Sequence, residues 1–371
     1  MREDVKYWIG FNLVKGIGPV RLQSLMDTFG DVQSAWKANP VQLRAAGLSE
    51  KLSRRIQDVR READLDKILT SVEQEGITVL TWDDEAYPAG LRDIPQSPPV
   101  LYLKGELKDT DRWAVAVVGT RRYTSYGRQV TEEISRALVH RGITIVSGLA
   151  RGIDGIAHQA ALDAGGRTIA VLGSGVDRIY PPEHRGLAQK IASQGVVLSD
   201  YPLGTPPEGG NFPPRNRIIS GLSRGVIVVE AGRRSGALIT AKYAADQGRE
   251  VFAVPGSIHA PQSKGANALI QQGAHPLLSP QDVMEVLELS QVGGGQPKRS
   301  ELPSNPTEAI LYQTLGLEPL HVDDICARVE LPVEKVTATL AVMEIKGLVR
   351  KTGAMEYMAV SESEAGYEAE G

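Results

Sequence analysis

Between Ile77 and about residue 279 the chain alternates short β-branched runs with helix-length segments, and a glycine-bearing turn follows most of the runs. The strand candidates are Trp113–Val118, Thr144–Ser147, Thr168–Leu172, Val196–Ser199, Val226–Val229 and Val251–Val254, with helix patterns such as Tyr126–His140 and Ala237–Gln247 between them. Strands that are apolar on both faces need cover on both faces. Alternation with helices therefore predicts an α/β domain with a Rossmann-like, mainly parallel sheet and helices on either side. Ligands of such sheets sit beyond the carboxyl ends of the strands, so the loops there are where function is sought.

The flanks follow other patterns. Residues 1–75 have apolar residues at helical spacing, interrupted by the turns in "LVKGIGPVRLQSL" and "LRAAGLSEKLSRRI". These predict an N-terminal helical domain of helix-hairpin-helix or SAM-like type ahead of a sheet domain at 76–289. Amides opening the helix after such a turn can meet a phosphate, and Arg44, Lys51, Arg54, Arg55, Arg60 and Arg61 outnumber Glu50 and Asp58 nearby. A solvated charged face is the other reading, and both stay open. Residues 290–303 are rich in Gly, Ser and Pro and read as a linker, 304–360 as a winged-helix domain of three helices and a hairpin around "KTGAME", and 361–371 as a disordered acidic tail. The third helix, Val333–Ile345, has Lys335 and Lys346 against Glu334 and Glu344, so protein contact or plain structural use is as well supported as DNA binding.

A net charge of −4 requires any nucleic-acid contact to come from a local patch. No apolar run approaches the roughly 20 residues of a membrane span, and charges occupy the start "MREDVKYWIG", so a cytoplasmic, non-membrane protein is expected. The lone Cys326 cannot form an intrachain disulfide or a thiolate cluster.

Four strand-end loops carry glycines. "VVGTRRYTSYG" offers Gly119, Arg121 and Arg122, a plausible seat for phosphate, but lacks G-x-G-x-x-G, which disfavours NAD. "SGLARGIDGIAH" offers Ser147, Gly148, Arg151 and Gly152. Asp154 and His158 in it stand four apart, spaced for a metal or an acid–base pair, or more simply as a capping carboxylate with a histidine partner. "LGSGVDRIYPPEH" offers Gly173 and Ser174 beside a stiff wall at Tyr180, and "VVEAGRRSGALITA" offers Arg233, Ser235 and Gly236, with Lys242 beyond. To these "FPPRNRIISGLS" adds the aromatic face of Phe212, the forked donors of Arg215 and Arg217, and Asn216.

These five stretches, long and collinear, resemble the DNA-processing protein A family over about residues 77–279. The resemblance implies a single-stranded-DNA-binding protein of natural transformation that protects incoming DNA, loads the RecA recombinase on it and dimerises through the Rossmann-like domain. It implies no cofactor and no catalysis. It places Phe212 near a base, Arg215 and Arg217 near phosphates, Asn216 in a hydrogen-bonding or loop-fixing role, and Arg121 and Arg122 on the same pocket. Family members often have a basic residue three before the Phe. Here that position is Gly209, so either Arg233, Arg234 or Lys242 compensates or binding per pocket is weaker. The layout is also similar to the nucleotide-cleaving phosphoribohydrolases with P-G-G-x-G-T-x-x-E, yet Thr240 stands roughly where their catalytic Glu would be. In "GANALIQQGAHPLL" the adjacent Leu269 and Ile270 are expected to mark a symmetric homodimer surface or one used by RecA.

Overall fold

In the computed structural model, which describes residues 2–289, 306–315, 320–329, 331–345, 349–353 and 355–359, successive residues of the strand Ala114–Val118 point into different cores. Ala114, Ala116 and Val118 join one buried cluster, and Val115 and Val117 join another on the opposite face. The same division separates Val226 and Val228 from Ile227 and Val229. The sheet is therefore covered on both sides, as its apolar strands require.

Its strands are β1 (Thr78–Thr81), β2 (Val100–Gly105), β3 (Ala114–Val118), β4 (Thr144–Ser147), β5 (Thr168–Val171), β6 (Val196–Ser199), β7 (Gly225–Val228), β8 (Glu250–Ala253) and β9 (His275–Pro276). They lie in the order β1-β2-β6-β5-β4-β3-β7-β8-β9. From β6 to β9 across the sheet every pairing is parallel, whereas β1 and β2 are antiparallel additions at one edge. The six expected strands are all present. β1, β2 and β9 are additions to the sequence reading, and β9 is only two residues long and carries Pro276, a residue tolerated at a sheet edge.

The N-terminal helices Val5–Leu13, Pro19–Phe29, Val32–Lys37, Pro40–Ala45, Glu50–Glu62 and Leu65–Gln74 contain both expected hairpins. Gly16 has φ +107° before the helix starting at Pro19, and Ser49 caps the helix Glu50–Glu62 by accepting from the Leu52 amide. Trp8, Phe11 and Trp36 pack in a core that continues into Val79, Val100 and Tyr102 of the sheet. The described residues up to Leu289 thus form one unit, and the change of pattern at residue 75 is not a break in packing. Much of the basic run is engaged locally: Arg55 donates to the Lys15 carbonyl at 2.9 Å, Arg60 to that of Ala38 at 2.8 Å, Arg54 pairs with Glu50, and Arg61 pairs with Asp58.

The second unit, described by itself, has helices Pro306–Thr314, Val322–Val329 and Val333–Ile345 and strands β10 (Leu320–His321), β11 (Val349–Gly353) and β12 (Glu356–Ala359), ordered β10-β12-β11. Leu311, Ile325, Val336, Leu340 and Met343 fill its core, with Cys326 partly buried against it. This is a winged helix. The expected linker at 290–303, the tail at 361–371 and Lys346 lie outside the described residues. Among the described residues no helix is long and apolar enough to cross a membrane.

Candidate functional site

The chain steps outward from β3 to β4, β5 and β6, then returns to place β7 on the other side of β3. The loops after β3 and β7 consequently diverge and leave a crevice between them, the switch point of the sheet. A cleft of about 960 Å³ opens there. One wall is Gly119 to Arg122 after β3, and the facing wall is Gly232, Arg234, Ser235 and Gly236 after β7. Phe212, Pro213, Arg215 and Asn216, from the first turn of the helix Phe212–Gly221, close the third side.

Backbone bonds tie the walls together. The Thr120 amide donates to the Glu230 carbonyl at 2.7 Å, and the Thr120 carbonyl accepts from the Ile153 amide at 3.2 Å. The buried Glu230 carboxylate accepts from the Thr124 amide at 2.9 Å and from its hydroxyl at 2.6 Å, which fixes the start of the helix Ser125–His140. With both loops held by their own backbones, the side chains of Arg121, Arg122, Arg233 and Arg234 are exposed, and none has an ion-pair partner among the described residues. Arg234 lines the cleft; Arg233 and Lys242 do not. Gly209, standing where a basic residue is usual, is on the rim.

Phe212 is the centre of an aromatic and cationic cluster. Its half-buried ring lies 5.8 Å from that of Tyr180, with the Arg121 and Arg215 guanidiniums 5.9 and 5.8 Å from its centroid. Gly173 provides the space for it: a Cβ there would stand 2.9 Å from the Phe212 ring. Gly148 does the same for Arg215, whose guanidinium lies 2.7 Å from where that Cβ would be. Sequence reasoning assigns these glycines to close approach of a ligand. The structure fills the space with the protein's own Phe212 and Arg215.

The two arginines of "PRNR" part company. Arg215 is buried and donates to the Gly148 carbonyl at 2.8 Å and to that of Val171, so its charge lies fixed beneath the cleft and burial pushes its pKa down to about 10. Arg217 does not reach the cleft. Its Nη2 pairs with Asp200 at 2.8 Å, Nε donates to the Gln96 carbonyl at 2.9 Å and Nη1 to that of Pro214 at 2.9 Å. Two helical residues stand about 200° apart, so both cannot face one ligand.

Other expected site residues support the loops from behind. Ser147 is buried and donates to the Val117 carbonyl at 2.7 Å, and Ser174 is buried and donates to that of Arg178 at 2.7 Å. Arg151 forms an exposed pair with Glu183, and Gly152 holds φ +84° against the Thr120 carbonyl. Leu269 and Ile270 lie on the helix Lys264–Gln271. Both are half-buried, and Leu269 packs on the main core, so the expectation of two protruding side chains is reduced to Ile270.

Asp154 and His158 are not partners. Asp154 is buried at the cleft wall and accepts from the Gly148 amide at 3.1 Å and the Ala150 amide at 3.4 Å, and burial raises its carboxyl pKa. His158 instead bonds Thr168 Oγ1 through Nδ1 at 2.7 Å. Thr240, where a phosphoribohydrolase would carry its Glu, is buried and lines the cleft.

Burial, followed by the charges of His184 and Arg215, lowers the His158 pKa to about 3. Below pH 6.5 the unfolded chain binds a proton that the folded chain refuses until about pH 3, so this stabilisation is complete above pH 6.5 and is lost as pH falls from 6.5 toward 3. Between pH 7 and pH 5 the loss is roughly 2 kcal/mol. Denaturant unfolding at the two values is expected to show the loss in the wild type reduced by about that amount in His158→Gln; an identical pH dependence would contradict the assignment.

An arginine-rimmed cleft at the switch point of a Rossmann-like sheet, in a chain that also carries a winged helix, defines the class. The DNA recombination-mediator protein A family model matches residues 78–288, and the DprA winged helix domain model matches residues 295–354. The chain belongs to the DNA recombination-mediator protein A family. It is 40% identical to Protein Smf of Synechocystis sp. across 95% of this chain and 98% of that protein. DNA processing protein A from Streptococcus pneumoniae is 37% identical with a TM-score of 0.67, covering 76% of this chain and 97% of that one. The corresponding protein of Helicobacter pylori, whose structure concerns its single-stranded DNA binding mode, is 33% identical with a TM-score of 0.52, covering 57% of this chain and 95% of that one.

Proposed function

We propose that the cleft between the ends of β3 and β7 binds single-stranded DNA with little sequence preference and catalyses no reaction. The observation that carries this is the set of exposed, unpaired guanidiniums of Arg121, Arg122 and Arg234 around the half-buried Phe212 ring. Guanidiniums bind phosphates without reading bases, and an aromatic face stacks on any base. Gly119, Ser235 and Gly236 present backbone on the same surface, with Asn216 beside it. The likeness to the Helicobacter pylori protein supports the same reading. The test is anisotropy titration of labelled oligo-dT and of its blunt duplex at two salt concentrations. Single strands are expected to bind at least tenfold more tightly, because paired bases cannot reach Phe212. Equal affinity would overturn the pocket and shift attention to the N-terminal hairpins and the winged helix.

The proposal extends, on the family resemblance, to a cytoplasmic homodimer that protects incoming strands and loads the RecA recombinase on them in natural transformation. Ile270 is the residue assigned to the dimer surface. In an isologous dimer a substitution enters the interface twice, so Ile270→Glu is expected to yield a folded monomer by light scattering. That monomer would keep its affinity for a short oligonucleotide and lose affinity for long strands, since two linked pockets raise the effective concentration of the second contact. An unchanged dimer with a much lower melting temperature would assign Ile270 to the core.

A further inference from the structure

The end of the sheet opposite the cleft holds a second concavity, of about 530 Å³, within the range of small-molecule sites. Three neighbouring parallel strands are preceded there by arginine: Arg112 two residues before β3, Arg224 one before β7 and Arg249 one before β8. The register pairs Val115 with Gly225 and Gly225 with Glu250, so Arg224 and Arg249 leave adjacent strands at matching positions. Adjacent strands lie about 4.8 Å apart, and burial, followed by the charge of Arg224, lowers the Arg249 pKa.

Among the described residues neither guanidinium has a carboxylate within ion-pair distance, and their bonds go to carbonyls, Arg224 Nε to Arg112 at 3.4 Å and Arg249 Nη2 to Gly90 at 3.3 Å. Asp93 acts on Arg249 only from farther away, while Asp111 is occupied by Arg167 at 2.7 Å. Among the described residues the buried Nε of Arg249 has no acceptor. An anion held by the two guanidiniums would offset their mutual repulsion.

The arrangement is also prepared in advance. Arg112 and Arg224 both lie over the Trp113 ring, at 5.5 and 4.8 Å. Leu107, Ile169 and Leu222 give the concavity an apolar wall, and Glu85, Asp93 and Asp109 stand among its lining residues as acceptors for hydroxyl or amine groups.

We propose that this concavity is a second ligand site, taking a phosphorylated small molecule of nucleotide size with its phosphate between Arg224 and Arg249 and its ring on the apolar wall. It lies at the opposite end of the strands from the cleft, so its ligand does not compete with DNA there.

Calorimetric titration of the full chain with AMP tests this, with inorganic phosphate as a second arm that separates the phosphate from the rest of the ligand. AMP is expected to bind, to be displaced by phosphate, and to bind at least tenfold more weakly to Arg224→Gln, while affinity for oligo-dT stays within twofold. Because Arg224 is exposed, that variant is expected to fold. Ala89→Trp, which narrows the concavity without touching a charge, is expected to weaken AMP as well. No binding of AMP to the wild type, equal binding to wild type and Arg224→Gln, or loss of AMP binding in Arg121→Ala together with displacement by oligo-dT would each overturn the proposal.

Discussion

Arg217→Ala is expected to cost about 3–5 kcal/mol of folding stability, the range for breaking a buried ion pair from one side. The side chain is buried, and its removal strands the Asp200 carboxylate and the carbonyls of Gln96 and Pro214. Among the described residues Asp200 already has one buried oxygen without a partner, so it has little else to turn to. For a unit of this size the loss corresponds to a drop in Tm of roughly 5–8 °C. Asp200→Asn in the same chain should recover part of it, because the uncompensated charge is then gone. The folded fraction of Arg217→Ala should keep the salt dependence of oligonucleotide binding, since Arg217 is off the cleft. A variant that melts like the wild type but binds DNA poorly would restore Arg217 to the binding surface.

Removing the exposed cations of the cleft should have the opposite signature. Arg121, Arg122 and Arg234 form no ion pair among the described residues, so the triple alanine variant is expected to melt within about 2 °C of the wild type, surface changes being worth roughly 0.5 kcal/mol or less each. Each lost phosphate contact on a single strand lowers the magnitude of the salt slope by about 0.7, so three lower it by about 2. Phe212→Ala in the intact background should instead leave the slope alone and weaken binding by roughly 1–3 kcal/mol, the range for one base stacked on an aromatic ring. Charge and stacking are thereby separated by two variants of one cleft.

The parallel sheet was legible because its strands are buried on both faces and the turns that end them carry glycine. The antiparallel pair β1 and β2 was not, since periodicity gives no pairing partner, and a two-residue edge strand such as β9 has no period to read. The loops of the cleft were legible as places but not as side-chain directions. The resemblance puts both arginines of "FPPRNR" on one ligand, whereas Phe212 begins a helix and the prolines occupy its first turn, where proline is well tolerated. Once that is seen, the helical twist alone turns Arg217 away from Arg215. Arg233 and Arg234 are adjacent in an irregular loop, and nothing in the sequence tells which faces inward. The partners that decide burial, Asp200 just after β6 for Arg217 and Thr168 of β5 for His158, come from other elements, beyond the reach of local pattern.

The most direct measurement of the account is the slope of log K against log salt for oligo-dT, taken for the wild type and for the Arg121→Ala, Arg122→Ala, Arg234→Ala triple variant. The cleft model predicts a slope shallower by about 2 in a variant that is fully folded. An unchanged slope, with wild-type affinity, would show that single strands bind somewhere else on the protein.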